Sequence, residues 1–93
     1  MADKITAGKI TVLLADDHAL VRKGFRRMLE DESDMVVVGE AGSGEESIKL
    51  ARELQPNVVV MDCALPGMNG LQATRKIIQD SPETAVLMLS MHT

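Results

Sequence analysis

An α/β architecture, a parallel sheet covered by helices on both faces, follows from three features of this 93-residue sequence. Four short runs are apolar at successive positions instead of alternating ones, as strands buried on both faces must be. Segments with apolar residues at helical spacing lie between them. Two of the runs stop abruptly at aspartate.

Met1 to Lys9 lacks the apolar stretch of a signal peptide and reads as a flexible leader over 1–9, ahead of a single domain over 10–93. Ile10 to Ala15 is the first strand, closed by Asp16-Asp17. From Ala19 to Glu30, Leu20, Val21, Gly24, Phe25, Met28 and Leu29 recur at helical spacing. Arg22, Lys23, Arg26 and Arg27 fall largely on the other side, which predicts an amphipathic helix. Met35 to Val38 is the second strand, and Gly39 to Gly44 reads as loop. Ser43 followed by Glu46 makes a capping box for a helix over about Gly44 to Leu54, with Ile48, Ala51 and Leu54 inward. Pro56-Asn57 stops it. Val58 to Met61 is the third strand and ends at Asp62. After Pro66-Gly67-Met68-Asn69-Gly70 a third helix is marked by Leu71, Thr74, Ile77 and Ile78 and ends before Ser81-Pro82. Ala85 to Ser90 is the fourth strand. The order β-α-β-α-β-α-β has right-handed crossovers, and among doubly wound sheets the expectation adopted is the flavodoxin-like strand order, 2-1-3-4.

Composition narrows the function. The balance of 10 Lys plus Arg against 14 Asp plus Glu, a formal charge of −4, argues against clamping a phosphate backbone. With one Phe, no Tyr and no Trp, the chain has no aromatic platform for single-stranded nucleic acid. A lone Cys63 excludes an internal disulfide and multi-cysteine zinc sites, consistent with a cytoplasmic protein. No run approaches the length of a membrane span.

Ligands of open parallel sheets bind beyond the carboxyl ends of strands where the strand order reverses, here between the first and third strands. Asp16, Asp17 and Asp62 end those two strands. Two full charges ~4 Å apart repel by about 4 kcal/mol at an effective dielectric of ~20, so such a cluster requires a cation or a retained proton. All-oxygen donors with room for water suit Mg2+. A carboxylate beside a hard cation can then act as nucleophile toward a phosphoryl group, giving aspartyl phosphate. Ser90, ending the strand beside the third, is placed as an orienting donor to that group.

Blander readings stand beside these. Asp16 or Asp17 alone reads first as a helix N-cap. Gly42-Ser43-Gly44 reads as loop plus cap, His18 and His92 as rim residues, and Cys63 as an inert packed thiol. Met28, Met35, Met61 and Met88 read as core, and the arginines from Arg22 to Arg27 as a solvated helix face, with a partner-docking surface as the lesser alternative.

Three motifs, Val-Leu-Leu-Ala-Asp16-Asp17-His18, Val-Val-Val-Met-Asp62-Cys-Ala-Leu-Pro66-Gly67-Met-Asn-Gly70 and Val-Leu-Met-Leu-Ser90-Met-His92, together resemble the receiver domain of bacterial two-component response regulators. The resemblance covers about Ile10 to His92. The Asp-Asp-His opening and Ser-Met-His ending are most similar to the subfamily whose members add a C-terminal helix-turn-helix DNA-binding domain of LuxR type. The resemblance implies transfer of a phosphoryl group from a sensor histidine kinase to Asp62. It implies Mg2+ held by Asp17 and Asp62 directly, by Asp16 through water, and by the main-chain carbonyl of Ala64. Ser90 would hydrogen-bond the phosphoryl group and shift the loop that follows.

Receivers of this family have Met where this chain has Leu65. They also continue into a fifth strand and two further helices that carry a site lysine and an aromatic switch residue. The expectation is therefore a receiver truncated before the fifth strand, impaired as a phosphoacceptor, with strand four as an exposed edge that promotes self-association. DNA contact would belong to the missing C-terminal domain. This makes the chain a signalling module and not a turnover enzyme. Two alternatives are an interaction or structural module with a non-functional acidic site and, more remotely, an aspartate-nucleophile phosphatase. The phosphatase pattern wants a second Asp where Ala64 stands.

Overall fold

The structure, a computed structural model, describes residues 8–89. It contains β1 (Ile10–Ala15), α1 (Ala19–Glu30), β2 (Met35–Ala41), α2 (Gly44–Leu54), β3 (Val58–Asp62), α3 (Gly70–Asp80) and β4 (Ala85–Leu89). The strands form one parallel sheet in the order β2-β1-β3-β4, as expected for the flavodoxin-like topology. Ser90 and His92, and the leader up to residue 7, lie outside the described residues.

The two faces of the sheet are covered unequally. On one face Leu13, Ala15, Val59 and Met61 pack with Ala51 of α2 and with Ala73 and Ile77 of α3. On the other, Val12, Leu14 and Val37 meet Phe25 and Leu29 of α1, with Val60 alongside. This division follows from strand alternation, since neighbouring residues of β1 and β3 point to opposite faces. One helix on one side and two on the other leave the α1 face thinner. No residue of α1 is fully buried.

Helical periodicity alone overstates what α1 and α3 bury. Leu20 is 82% and Met28 62% exposed, so Met28 is not a core residue, while Val21, Phe25 and Leu29 are half-buried. In α3 the inward face is Gly70, Ala73, Thr74 and Ile77, and Leu71 and Ile78 are exposed. Leu54 of α2 is exposed at its tip although Ala51 is buried. In each case an apolar stripe wider than the contact leaves its flanking residues outside.

β2 runs three residues beyond Val38, because Gly39, Glu40 and Ala41 pair in register with Leu13, Leu14 and Ala15 after a shift between Val12 and Leu13. That extension carries Glu40 to the end of the sheet where the aspartates lie. At α2, Ser43 Oγ accepts the Glu46 amide, but the Glu46 carboxylate accepts from the Gly42 amide instead of closing the box on Ser43. The complete capping box is at α3, between Asn69 and Gln72.

At the opposite end of the sheet, Asn57 Oδ1 accepts from both the amide and the hydroxyl of Thr11, tying β1 to the start of β3. No helix of the described residues is long and apolar enough to cross a membrane.

Candidate acidic site at the strand ends

Asp16 and Asp62 lie next to each other at the carboxyl ends of adjacent strands β1 and β3, which are paired from Val12 with Val58 to Ala15 with Met61. Both are buried, at 7% and 4% exposure, and so are polar groups kept at a desolvated position. Asp17 joins them from the turn after β1. One ligand atom from each of Asp16, Asp17, His18 and Asp62 falls within 4.8 Å of all the others. The convergence expected of three carboxylates remote in sequence is thus realised.

Local hydrogen bonds shape both turns. Asp16 Oδ1 accepts the His18 amide at 2.8 Å, a turn two residues long that starts before α1. The N-cap of α1 is His18, and its side chain makes no cap bond, so neither aspartate serves as the helix cap the sequence suggests. Asp62 Oδ1 accepts the Ala64 amide at 3.0 Å, the same device after β3. Ala64 itself is exposed at that turn. Cys63, half-buried, donates its thiol to the Leu89 carbonyl, and its amide donates to the same oxygen.

His18 is at the rim, with its side chain 64% exposed, but its ring does more than fill space. Nδ1 is 3.0 Å from Oδ1 of Asp16 and 3.0 Å from Oδ1 of Asp17. The hydrogen bond to Asp16, then the charge of Asp17, holds the imidazole above its ordinary pKa.

The arginines of α1 also depart from a solvated face. Arg22 donates through Nη1 to the main-chain carbonyl of Asp16 and through Nε to Glu40 Oε1 at 3.0 Å. Arg26 donates to Glu40 Oε2 at 2.6 Å. Lys23 and Arg27 remain exposed. A cavity between α1 and the strand ends is lined by Asp16, Arg22, Phe25, Val60, Asp62 and Leu89. The sequence offers one clue to this network, the placement of Glu40 three residues before a helix cap, but the periodicity of α1 gives none.

Chemically, three converging carboxylates, two buried and one exposed, are the kind of oxygen donor set that a hard divalent ion accepts. A buried carboxylate at its centre is a nucleophile once its charge is offset.

Comparison with known proteins places these residues in context. The model of the response regulator receiver domain matches residues 12–93. The chain is 52% identical over 82 residues to the response regulator GacA of Pseudomonas viridiflava, covering 88% of this chain and 38% of that protein. It is 50% identical over 84 residues to the response regulator UvrY of Escherichia coli K12, covering 90% of this chain and 38% of the relative. A two-component response regulator of the LuxR family from Aurantimonas superposes with a TM-score of 0.86 at 41% identity, covering 91% of this chain and 61% of that one. The chain thus spans well under half the length of these curated relatives.

Proposed function

This chain belongs to the response regulator receiver domain family, and from that premise we propose that it accepts a phosphoryl group on Asp62 from the phosphohistidine of a sensor histidine kinase, with Mg2+ as cofactor. The observation that carries the reading is the meeting of Asp16, Asp17 and Asp62 at the ends of two adjacent strands.

The residues present fit magnesium. Two of the three carboxylates are buried, and the described cluster offers their oxygens with a single nitrogen, that of His18, well short of the soft or tetrahedral nitrogen-sulfur set that zinc prefers. Asp17 and Asp62 would hold the ion directly, Asp16 through water, and the Ala64 carbonyl would complete the set. When bound, the ion offsets negative charge on the carboxylate and on the incoming phosphoryl group.

The chain's own residues do the rest. An Asp62 carboxylate oxygen attacks phosphorus, the phosphorus–nitrogen bond breaks, and the electron pair leaves with the donor imidazole, so that Asp62 carries an acyl phosphate. The Ala64 amide, bonded to Asp62 Oδ1, orients the carboxylate before attack. Ser90, which lies outside the described residues, would by the family resemblance hydrogen-bond the transferred group. The product is a signal, so the chain is a stoichiometric acceptor in the cytoplasm and not a turnover enzyme.

For the whole protein, of which the curated relatives are more than twice this length, we read transcription regulation through a LuxR-type helix-turn-helix domain that binds DNA. The test is to incubate the chain with a small acyl phosphate donor and map the adduct by mass spectrometry. A Mg2+-dependent label on Asp62, however slow, and none in Asp62→Asn, supports the reading. A label elsewhere, or one indifferent to Mg2+, overturns it.

A further inference from the structure

Resting on the metal-binding reading above, the geometry points to Arg22 and Glu40 as positioning residues that set the Asp16-Asp17 turn for Mg2+. The peptide between Asp16 and Asp17 leaves β1 and carries one proposed ligand on each side. The Asp16 amide is held by the Ala41 carbonyl of β2 at 2.9 Å. The Asp16 carbonyl is held by Arg22 Nη1. Because a peptide unit is planar, fixing that carbonyl fixes the plane shared with the Asp17 amide and hence the direction in which the Asp17 side chain starts.

Arg22 can hold this position only because Glu40 holds Arg22. The Nε–Oε1 bond of 3.0 Å and the carbonyl bond use two donors of one rigid guanidinium, whose side chain is 21% exposed. Glu40 pairs in register with Leu14, two residues before Asp16, so β2 presents its carboxylate at the height of the turn. Glu40 also neutralises the guanidinium, which leaves Arg22 a geometric role more than an electrostatic one. Arg26 supplies an internal contrast: it shares the same carboxylate at 2.6 Å, and its other partner among the described residues is Glu30, not the turn.

The experiment is a Mg2+ titration by calorimetry of the 93-residue chain and of Arg22→Met, Glu40→Ala, Arg22→Met/Glu40→Ala, Arg26→Met and Asp17→Ala. Each variant is checked by thermal unfolding in EDTA. The 13C shift of the Asp16 carbonyl in the metal-free protein reads the Arg22 bond directly.

Groups that orient metal ligands typically carry tenfold or more in affinity, so Arg22→Met should weaken Mg2+ about tenfold and shift the Asp16 carbonyl, while Arg26→Met stays within about twofold of wild type. The double variant should bind no more weakly than Arg22→Met alone, since Glu40 acts through Arg22. Wild-type affinity in Arg22→Met, an equal loss in Arg26→Met, or additive losses in the double variant would overturn the assignment. If the wild-type chain itself takes up no Mg2+, the metal-binding reading falls and the clamp with it. If the wild type binds, Asp17→Ala does not, and Arg22→Met is unaffected, the clamp alone falls.

Discussion

Gly70, the first residue of α3, lies against the backbone of Asp62: a β-carbon at position 70 would sit 2.5 Å from the Asp62 carbonyl oxygen and 2.6 Å from the α-carbon of Cys63. Both neighbours are main chain, so no side chain can yield to make room. The start of α3 is therefore a floor under the proposed phosphoacceptor, and only glycine permits the approach.

Gly70→Ala should destabilise the chain by about 1–3 kcal/mol, the usual cost of overpacking a filled site. It should also displace the turn that carries Asp62. Urea unfolding gives the first quantity, and the amide shifts of Asp62 and Ala64 give the second. Unchanged stability and shifts would show that the helix relaxes freely away from β3.

Thr74 presents the opposite case. Its Oγ1 is buried on the inner face of α3 with no hydrogen-bond partner among the described residues. A buried hydroxyl without a partner loses its hydration and recovers nothing, so the near-isosteric Thr74→Val should leave stability unchanged or raise it by up to about 1 kcal/mol. Urea unfolding showing a loss of that size instead would reveal a partner for the hydroxyl.

The hydrogen bond from Arg26, followed by that from Arg22, holds the Glu40 carboxyl below its ordinary pKa of 4.5. A lowered carboxylate pKa stabilises the fold above the unfolded value and ceases to do so as pH falls through the folded one. The stability gap between wild type and Glu40→Gln, measured in EDTA, should be constant from neutral pH down to about 5 and close below 4.5. A gap that widens on acidification would invert the sign and exclude the arginine contacts as its cause.

At the far edge of the sheet, β4 pairs with β3 alone among the described strands. Val86 and Met88 pack toward α2 and α3, so alternation turns Leu87 to the thinly covered α1 face, where it is 55% exposed. An apolar strand edge left unpaired is a template for pairing with another chain, and self-association is the expected outcome for this chain. Light scattering should give a mass that rises with concentration, and Leu87→Lys should return it toward the monomer. A monomer at every concentration in the unsubstituted chain would contradict the expectation.

The parts of this molecule legible in its sequence are those set by neighbours along the chain. β1 is readable from Ile10 to Ala15 because every position but Thr11 is apolar, and Asp16, Asp17 and Asp62 are readable as a candidate site because parallel topology sends the ends of β1 and β3 to one place. The end of β2 is less legible: Gly39 and Glu40 look like loop, yet the register with Leu13 and Leu14 makes them strand. Leu20 and Met28 fit a helical stripe, but the contact under α1 is too narrow to cover them. The hold of Arg22 on Asp16 requires a side-chain conformation and a crossing from α1 to β2, eighteen residues away in the chain, and neither has a local signature.

Both the phosphoryl-acceptor reading and the Arg22 clamp require magnesium to bind where Asp17 meets Asp62, and calorimetric titration of Mg2+ into the unsubstituted chain, Asp17→Ala and Asp62→Ala tests this without any phosphodonor. Saturable binding in the unsubstituted chain, lost in both variants, is the predicted result. No metal-dependent heat in the unsubstituted chain, or the same affinity in all three proteins, would contradict it.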